Sequence, residues 1–293
     1  MQESTSQSIS IIIPTLNERD RIRKCIERLD SYCSGMQWDY EIIFVDDGST
    51  DGTSHIVQSY ISNNPHVVML NLPEHLGKGG SITHAILTQS LKSCVAYMDV
   101  DLSADPSELE KLLGYLEDYD VVAGSRILRD GLEPVNRPLY RSFLSNSYSR
   151  LFRYLFRIPI YDPQCGFKVF RKGVTQRLFE NIKTMGFAFD TDLIVTAFAQ
   201  ELRIKEVPIN WTHGNFSKIS VLHEIQAMGS DLFSIWYRFH LAGLQNKLSY
   251  PQKRYSFYGR VLFSLLTAIK GKSAESKKTK KNIRIDRSNS TVL

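Results

Sequence analysis

Two carboxylates, Asp99 and Asp101, stand one residue apart at the end of the apolar run 94–98. Carboxylate oxygens suit a hard divalent cation such as Mg²⁺ or Mn²⁺. At the fraying end of a strand, one carboxylate can meet a metal while the other reaches a ribose or a second metal position. The alternative is a solvated acidic turn before Pro106.

A second acidic pair, Asp46 and Asp47, follows the apolar run 41–45 and precedes Gly48. A carboxylate at this place can accept hydrogen bonds from a nucleobase or from ribose hydroxyls. The other reading is an Asp-Gly turn closed by its own side chains. Both possibilities stay open from the residues alone.

A glycine-rich segment, 77–80, contains Lys78 and stands where a helix is expected to begin. Backbone N–H groups, the helix dipole and a lysine would together suit an anion, and a plain glycine turn is the alternative. There is no GxGxxG after the first strand and no GxxxxGK[ST] loop, so a dinucleotide oxidoreductase or a P-loop NTPase is disfavoured.

The elements that must position these residues alternate along the chain. Apolar runs predict strands, and amphipathic spacing predicts a helix over 18–33. Further helices are predicted over 53–62 and 77–91, and another begins at Pro106. The predicted strands cover residues 8–15, 41–50, 66–72, 94–102 and 119–126. This alternation predicts an α/β fold, a doubly wound and mostly parallel sheet with helices on both faces.

Polar side chains crowd after four of these strands, and ligands bind outside the carboxyl ends of strands in such sheets. We therefore expect them to share one crevice. They are Thr15, Asn17 and Glu18 after the first strand, Asp46 and Asp47 after the second, Asp99 and Asp101 after the fourth, and Ser125 and Arg126 after the fifth.

The composition is that of a globular chain and excludes a disordered or fibrous protein. Of 293 residues, 42% are hydrophobic and 23% charged, and the net charge is +5. Segment 270–287 holds eight of the basic side chains and only two acidic ones, so the rest of the chain is close to neutral. A basic tail of this kind favours an anionic surface over a nucleic-acid groove. The four cysteines form no CxxC pair, which is typical of reduced thiols.

No run reaches the roughly 20 apolar residues of a membrane-spanning helix, and the first residues are polar. The sequence therefore predicts a chain that is neither exported nor membrane-spanning. Segments 221–244 and 255–270 have large apolar faces with aromatic residues. They are predicted as amphipathic helices that lie on a bilayer, pack on the main domain or form a homodimer.

Several motifs together resemble family 2 glycosyltransferases of the branch that acts on polyprenyl phosphates, which includes dolichyl-phosphate mannose synthases and dolichyl-phosphate β-glucosyltransferases. The resemblance covers residues 8 to 245, and QCGFK is most similar to the glucosyltransferase members. The motifs are IPTLNE (13–18), VDDGSTDGT (45–53), GKG (77–79), DVD (99–101), GSR (124–126), DPQCGFK (162–168), FD (189–190) and EVPINW (206–211).

The resemblance implies a GT-A fold, Mg²⁺ or Mn²⁺, and transfer of a hexose with inversion from a nucleotide-diphosphate sugar, with uridine as the implied nucleotide. It also implies roles for individual residues. Pro14, Thr15, Glu18, Asp46 and Asp47 would hold the base and ribose, Lys78 would support the nucleotide, Asp99 and Asp101 would bind ribose and metal, and Arg126, Arg141 and Ser145 would lie near the donor diphosphate and the acceptor phosphate.

Arg141 and Ser145 are four residues apart, so one helix face can present both to a phosphate, and Arg137 competes with Arg141 for this role. Asp162 is predicted to act as a base or to orient the acceptor loop, with Asp190 second.

Two features depart from the family pattern. The sequence SITHAI after the glycines lacks an expected arginine, and Ser103 stands where some relatives have a metal-binding glutamine, which implies that water completes the metal shell.

The sequence thus predicts an enzyme at the cytoplasmic face of a membrane that moves a hexose, from UDP-glucose, to dolichyl or polyprenyl phosphate. A GDP-mannose donor, a non-lipid acceptor and a sugar-nucleotide-binding scaffold are the alternatives. The expected organisation is a disordered N-terminus (1–7), a GT-A catalytic domain (8–220), amphipathic helices (221–270) and a disordered basic tail (271–293).

Overall fold

A computed structural model describes residues 7–128, 139–212 and 221–241, apart from the side chains of 139–144 and 221–227. Its centre is a seven-stranded sheet in the order β3-β2-β1-β4-β6-β5-β7. The strands are β1 (Ser8–Thr15), β2 (Asp39–Asp46), β3 (Val67–Asn71), β4 (Cys94–Tyr97), β5 (Val121–Ser125), β6 (Lys168–Arg171) and β7 (Ile204–Pro208).

Eight α-helices connect or flank these strands within the described ranges. They are α1 (Arg19–Gly35), α2 (Thr53–Ile61), α3 (Gly77–Thr88), α4 (Glu108–Gly114), α5 (Leu139–Phe156), α6 (Lys172–Glu180), α7 (Phe189–Ala199) and α8 (Val221–His240). All strand pairs are parallel except those of β6, which runs antiparallel to β4 and β5. The α/β prediction of a mostly parallel sheet is confirmed.

The helices cover both faces of the sheet, and each face has its own apolar core. Strand side chains alternate between them, so Ile11 and Ile13 pack with α1, α2 and α4, whereas Ile12 packs with α3 and α5 to α8. The buried central strands β1 and β2 are apolar on both sides, as expected for parallel strands covered by helices.

Two strands end several residues earlier than the sequence predicts. β4 ends at Tyr97, because the Leu102 N–H donates to the Asp99 carbonyl and closes a turn in which Leu102 has φ +48°. β2 ends at Asp46, where Gly48 takes φ +93°. Both acidic pairs therefore lie in turns at the sheet edge, beyond or at the last strand residue.

Helix α8 packs on the domain through the apolar face of its last turns. Leu232, Ile235, Trp236 and Phe239 are buried in the core shared with α5 and α7. For these residues the structure agrees with the alternative in which segment 221–244 packs on the main domain. Segments 255–270 and 271–293 lie outside the described residues. Within the described helices, none is both long and apolar enough to cross a bilayer.

Candidate active site

The carboxyl ends of β1, β2, β4 and β5 meet at one edge of the sheet, as the sequence predicts. Because β6 runs the other way, its beginning lies at this same edge. The loop 162–167, which precedes β6, therefore joins the turns that follow the parallel strands. This reversal brings the DPQCGFK motif beside the turn of Asp99, against which Gly166 packs.

The turn after β4 holds Asp99 and Asp101 in different settings. Asp99 Oδ1 lies 2.7 Å from Lys78 Nζ, and the Asp99 side chain remains one-third exposed. Burial raises the pKa of Asp99, although Lys78 opposes that effect. Asp101 is exposed, and its Oδ1 accepts the Ser103 N–H at 2.9 Å. Asp101 is thus the more accessible carboxylate of the pair.

Segment 208–212 holds this turn from the far side. Ala104 forms an isolated β-bridge with Trp211, and the Ser103 carbonyl accepts the Thr212 N–H at 2.7 Å. Ser103 itself is buried. The backbone on both sides of Ser103 is therefore fixed by Asp101 and Thr212.

Asp46 and Asp47 are engaged by neighbouring backbone and hydroxyl groups. Asp46 accepts hydrogen bonds from the hydroxyls of Ser49 and Ser54 and from the Ser49 N–H. Asp47 Oδ1 and Oδ2 accept the N–H groups of Leu76 and Gly77 at 2.6 and 2.8 Å. Asp47 thus caps the start of α3, and both carboxylates are buried. The contacts of Asp46 agree with the turn alternative, whereas Asp47 binds the helix that follows β3.

Four backbone N–H groups at the start of α3 are already paired within the protein. Besides the two N–H groups bound by Asp47, those of Gly79 and Gly80 donate to the Met185 carbonyl at 2.7 and 3.2 Å. The glycines are required by close packing, since a Cβ on Gly79 would lie 2.5 Å from Cβ of Phe189. Lys78, rather than the helix start, is the cationic group at this place.

Three predicted nucleotide residues lie around the end of β1. Pro14 is partly buried, and the Thr15 hydroxyl donates to the Val45 carbonyl at 3.1 Å. The Glu18 carboxylate accepts two hydrogen bonds from Arg21, at 2.7 and 2.8 Å. The structure places all three at the predicted edge, with Thr15 and Glu18 held by protein partners.

Arg126 and Asp162 form the most fully bonded ion pair of the site. Asp162 accepts the Arg126 backbone N–H at 2.9 Å, its Nε at 2.7 Å and its outer guanidinium nitrogen at 2.8 Å. Burial alone would raise the pKa of Asp162, but Arg126 outweighs it and the pKa lies below its usual value. This favours the orienting role predicted for Asp162 over the role of a base.

A buried lysine, Lys168, ties loop 162–167 to α7. Its ammonium donates to the Cys165 carbonyl and to Asp190 at 2.6 Å each, and to the Pro163 carbonyl at 3.3 Å. Asp190 also accepts the Tyr97 hydroxyl and lies 3.6 Å from Lys78. Burial would raise the pKa of Asp190, yet Lys168 and Lys78 lower it. Asp190, the second candidate base, is therefore an ion-pair partner.

Lys78 completes a series of ion pairs with alternating charge, which runs from Lys168 through Asp190 and Lys78 to Asp99. Burial would lower the pKa of Lys78, but Asp99 and Asp190 together raise it, so the amine stays charged. Gly166 packs closely against this series of ion pairs, since a Cβ at residue 166 would lie 2.2 Å from Asp99 Oδ2. Sequence reasoning missed Lys168, whose only signal was its place in the QCGFK motif.

The predicted acceptor residues lie on or before α5. Ser145 is partly exposed, one turn before Tyr148, whose hydroxyl bonds Thr191 at 2.7 Å. The side chain of Arg141 and all of Arg137 lie outside the described residues. Tyr148 thus anchors this part of α5 on α7, near Gln164 of the DPQCGFK loop.

The acidic side chains of the site suit a divalent cation that brings other ligands with it. Across the described residues there is no group of three His, Cys, Asp or Glu side chains around one position. Mg²⁺ commonly binds through one or two carboxylates together with substrate phosphates and waters. An exposed Asp101 beside Asp99 fits that mode of binding, in which the ion arrives with a diphosphate.

Comparison with known proteins decides the family. The family model described as glycosyl transferase family 2 matches residues 10–179. The chain belongs to this family. The transferase is 30% identical to a dolichyl-phosphate beta-glucosyltransferase of Drosophila melanogaster, over 84% of this chain and 81% of that protein. It is 29% identical to the enzyme of that name from Homo sapiens, over 81% and 77%.

Solved structures give the same fold. The transferase aligns with the glucosyl-3-phosphoglycerate synthase of Mycobacterium tuberculosis, crystallised with Mn²⁺, uridine diphosphate and phosphoglyceric acid. The TM-score is 0.59 at 19% identity, over 84% of this chain and 80% of the other. The fold is therefore of the GT-A type, as predicted, and the chain is a glycosyltransferase.

Proposed function

We propose that this transferase moves glucose, with inversion, from UDP-glucose to dolichyl phosphate or another polyprenyl phosphate. The observation that carries the proposal is an arginine fixed by a carboxylate, Arg126 on Asp162, at the same sheet edge as Asp99 and Asp101. Cation-binding carboxylates beside a fixed guanidinium suit a diphosphate leaving group. The relatives that carry the name dolichyl-phosphate beta-glucosyltransferase support the sugar and the lipid acceptor.

Charge governs the donor half of the reaction. Negative charge grows on the diphosphate oxygens as they leave the anomeric carbon. Arg126 is placed to stabilise this charge because two hydrogen bonds to Asp162 fix the direction of its guanidinium. Asp101 and Asp99 would hold Mg²⁺ or Mn²⁺. The bound ion would neutralise part of the leaving group's charge.

The acceptor half needs little help from a base. A phosphate monoester has a second pKa near 6, so its oxygen is largely deprotonated at pH 7 and can attack the sugar from the face opposite the diphosphate. The two carboxylates first considered as bases, Asp162 and Asp190, are both ion-paired with lowered pKa values. We propose that Ser145 and Arg141 of α5 contact the acceptor phosphate.

A peripheral position on the cytoplasmic face of a membrane follows from a lipid acceptor and a nucleotide-sugar donor. The outer side of α5 supports contact with a bilayer. Leu151 and Tyr154 are 45% and 63% exposed on this side, and Tyr161 beyond the helix is 41% exposed. Arg150 and Arg157 are exposed beside them. Apolar and aromatic groups among arginines are typical of surfaces that bind anionic lipids.

Vesicle flotation tests this membrane contact. The protein should float with phosphatidylcholine vesicles that contain phosphatidylserine more than with neutral ones. Leu151→Glu together with Tyr154→Glu should reduce flotation and transfer to dolichyl phosphate in vesicles, but leave transfer to a short, water-soluble prenyl phosphate intact. Tyr115→Glu, at a site 38% exposed on another element, is the matched control. Equal flotation of the double variant and the wild type would reject α5 as the contact surface.

Product extraction tests the reaction itself. Purified protein with Mn²⁺, radiolabelled UDP-glucose and dolichyl phosphate should transfer label into organic solvent. GDP-mannose in place of UDP-glucose tests the mannose alternative, and soluble phosphate acceptors test the non-lipid alternative. Label that stays in the aqueous phase with every lipid acceptor would overturn the proposed function.

A further inference from the structure

Glu206 of β7 lies behind the Arg126–Asp162 pair. In the parallel register of β5 and β7, Glu206 pairs with Ala123, three residues before Arg126. The Glu206 carboxylate accepts two successive backbone N–H groups, that of Tyr161 at 2.7 Å and that of Asp162 at 2.6 Å. The Ser125 side chain also hydrogen-bonds Glu206. One side chain thus joins the end of β5 to the start of loop 162–167.

The carboxylate fixes the backbone from which Asp162 extends. Consecutive N–H groups that converge on one anion form a concave site in which the anion and the backbone fix each other. Asp162 is 1% exposed and directs its own carboxylate at Arg126. A shift of the backbone at residue 162 therefore moves both acceptor oxygens that hold the guanidinium.

Two negative charges are held close together in this arrangement. Burial raises the pKa of Glu206, and the neighbouring Asp162 adds to the rise. Folding keeps Glu206 at this position even though its ionised form is disfavoured there, and the two backbone donors offset part of that cost. An amide in the same place would accept one N–H group through its oxygen and oppose the other with its own N–H group.

Arg126 also contacts the segment that holds the turn of Asp99 and Asp101. Its guanidinium carbon lies 5.1 Å from the centre of the Trp211 ring, and Trp211 pairs with Ala104 in the turn after β4. The contacts thus run from Glu206 through Asp162 and Arg126 to Trp211. Glu206 stands at one end of this series, on the edge strand β7.

We infer that Glu206 is a positioning residue for transfer, which sets the direction of the Arg126 guanidinium through the backbone and carboxylate of Asp162. The inference rests on the proposed role of Arg126 at the diphosphate. It predicts that removing the Glu206 charge costs activity only while Arg126 is there to be positioned.

A double-mutant cycle on the full chain tests this. The cycle compares Glu206→Gln, Arg126→Lys and the double variant in steady-state transfer. Glu206→Gln should lower kcat/KM by about tenfold and Arg126→Lys by about 100-fold. The double variant should lose about 100-fold rather than the 1000-fold product, because both changes remove the same interaction. Glu201→Gln, an identical change at an exposed site, should keep wild-type rates.

The size of the coupling separates positioning from a purely structural role. A structural defect lowers the active fraction by the same factor with or without Arg126, so multiplicative losses would overturn the inference, as would wild-type rates in Glu206→Gln. Should Glu206→Gln fail to fold, Glu206→Asp takes its place in the cycle. If wild-type protein transfers no sugar, the proposed function fails, and the same cycle is measured as Mn²⁺-dependent UDP binding, where the two losses are again expected to be non-additive.

Discussion

The two acidic turns, Asp46–Asp47 and Asp99–Asp101, look alike in the sequence, since each comes after an apolar strand, but they are used differently. The oxygens of Asp46 and Asp47 are bound by N–H and hydroxyl groups, and two of those N–H groups belong to the start of α3. Asp99 pairs with a lysine and keeps one-third of its side chain exposed, and Asp101 is exposed.

The difference shows that the role of an acidic pair at a strand end depends on the segment that packs against it. The start of α3 donates two backbone N–H groups to Asp47, whereas beyond Asp101 the Ser103 N–H donates to that carboxylate and the Asp101 side chain stays exposed. We therefore expect the first turn to contribute mainly to stability and the second to be available to a ligand.

Asp101→Asn is expected to have the largest effect. Loss of the exposed charge should lower transfer by about 100-fold or more, since charge stabilisation of a leaving group is usually worth that much. The melting temperature should stay close to that of the wild type, because the side chain is exposed. Asp118→Asn, at another exposed site, is the matched control. Full activity across a Mn²⁺ titration would contradict the assignment.

Asp47→Asn should give the opposite pattern. An asparagine can accept only one of the two N–H groups of Leu76 and Gly77 through its oxygen, so the free energy of unfolding should fall by about 1–3 kcal/mol. Activity per folded molecule should change by only a few-fold. Urea denaturation and donor KM measure the two effects. Unchanged stability with lost donor binding would instead support the nucleotide role that the resemblance implies for Asp47.

Two glycine variants extend the contrast. Gly166→Ala places a methyl group 2.2 Å from Asp99 Oδ2 and 2.8 Å from Lys78 Nζ, so that pair must move. We expect transfer to fall by about tenfold. Gly48→Ala meets no atom within 4 Å but occupies φ +93°, and should cost about 1 kcal/mol of stability with kinetics unchanged. Similar kinetics for the two variants would argue against the assignment of the second turn to the ligand.

The smallest of the expected effects is the pH dependence of stability that Asp162 contributes. The pKa of Asp162 is lower folded than unfolded, so its contribution to stability is present above the unfolded value of about 4. The contribution is lost as the pH falls through the folded pKa. Wild-type protein should be more stable than Asp162→Asn at pH 5 to 7, and the gap should narrow below pH 4. If the difference in stability between wild type and Asp162→Asn already narrowed between pH 7 and pH 5, the lowered pKa of Asp162 would be contradicted.

Much of the sheet could be predicted because apolar runs and helical spacing are local signals. The five predicted strands all exist, and their polar ends meet at one edge. The direction of β6 could not be predicted in the same way. A strand of four residues that begins with Lys168 carries too short a pattern, and nothing local shows which way it runs.

The partners of the site residues were also beyond local reasoning. Asp162 lies 36 positions from Arg126 along the chain, and Asp190 lies 22 positions from Lys168. Residue types predict that Asp162 acts as a base or orients the acceptor loop, with Asp190 second, whereas the ion pairs that form in the folded chain lower the pKa values of both. Residue types thus predict where the candidate active site lies, whereas long-range contacts determine which of its side chains are free of ion pairs.

The reversed strand β6 has a consequence for the segment that holds the proposed acceptor residues. Ala123 of β5 faces Lys168 of β6 in the antiparallel register, so the whole excursion between these two strands departs from and returns to neighbouring points of the sheet. The segment between β5 and β6 can therefore lengthen, shorten or be exchanged without changing the strand order of the sheet or the turn after β4 that holds Asp99. A graft of residues 127–161 between related transferases, which leaves Arg126 and Asp162 in place, would therefore test whether the proposed acceptor contacts lie in this excursion.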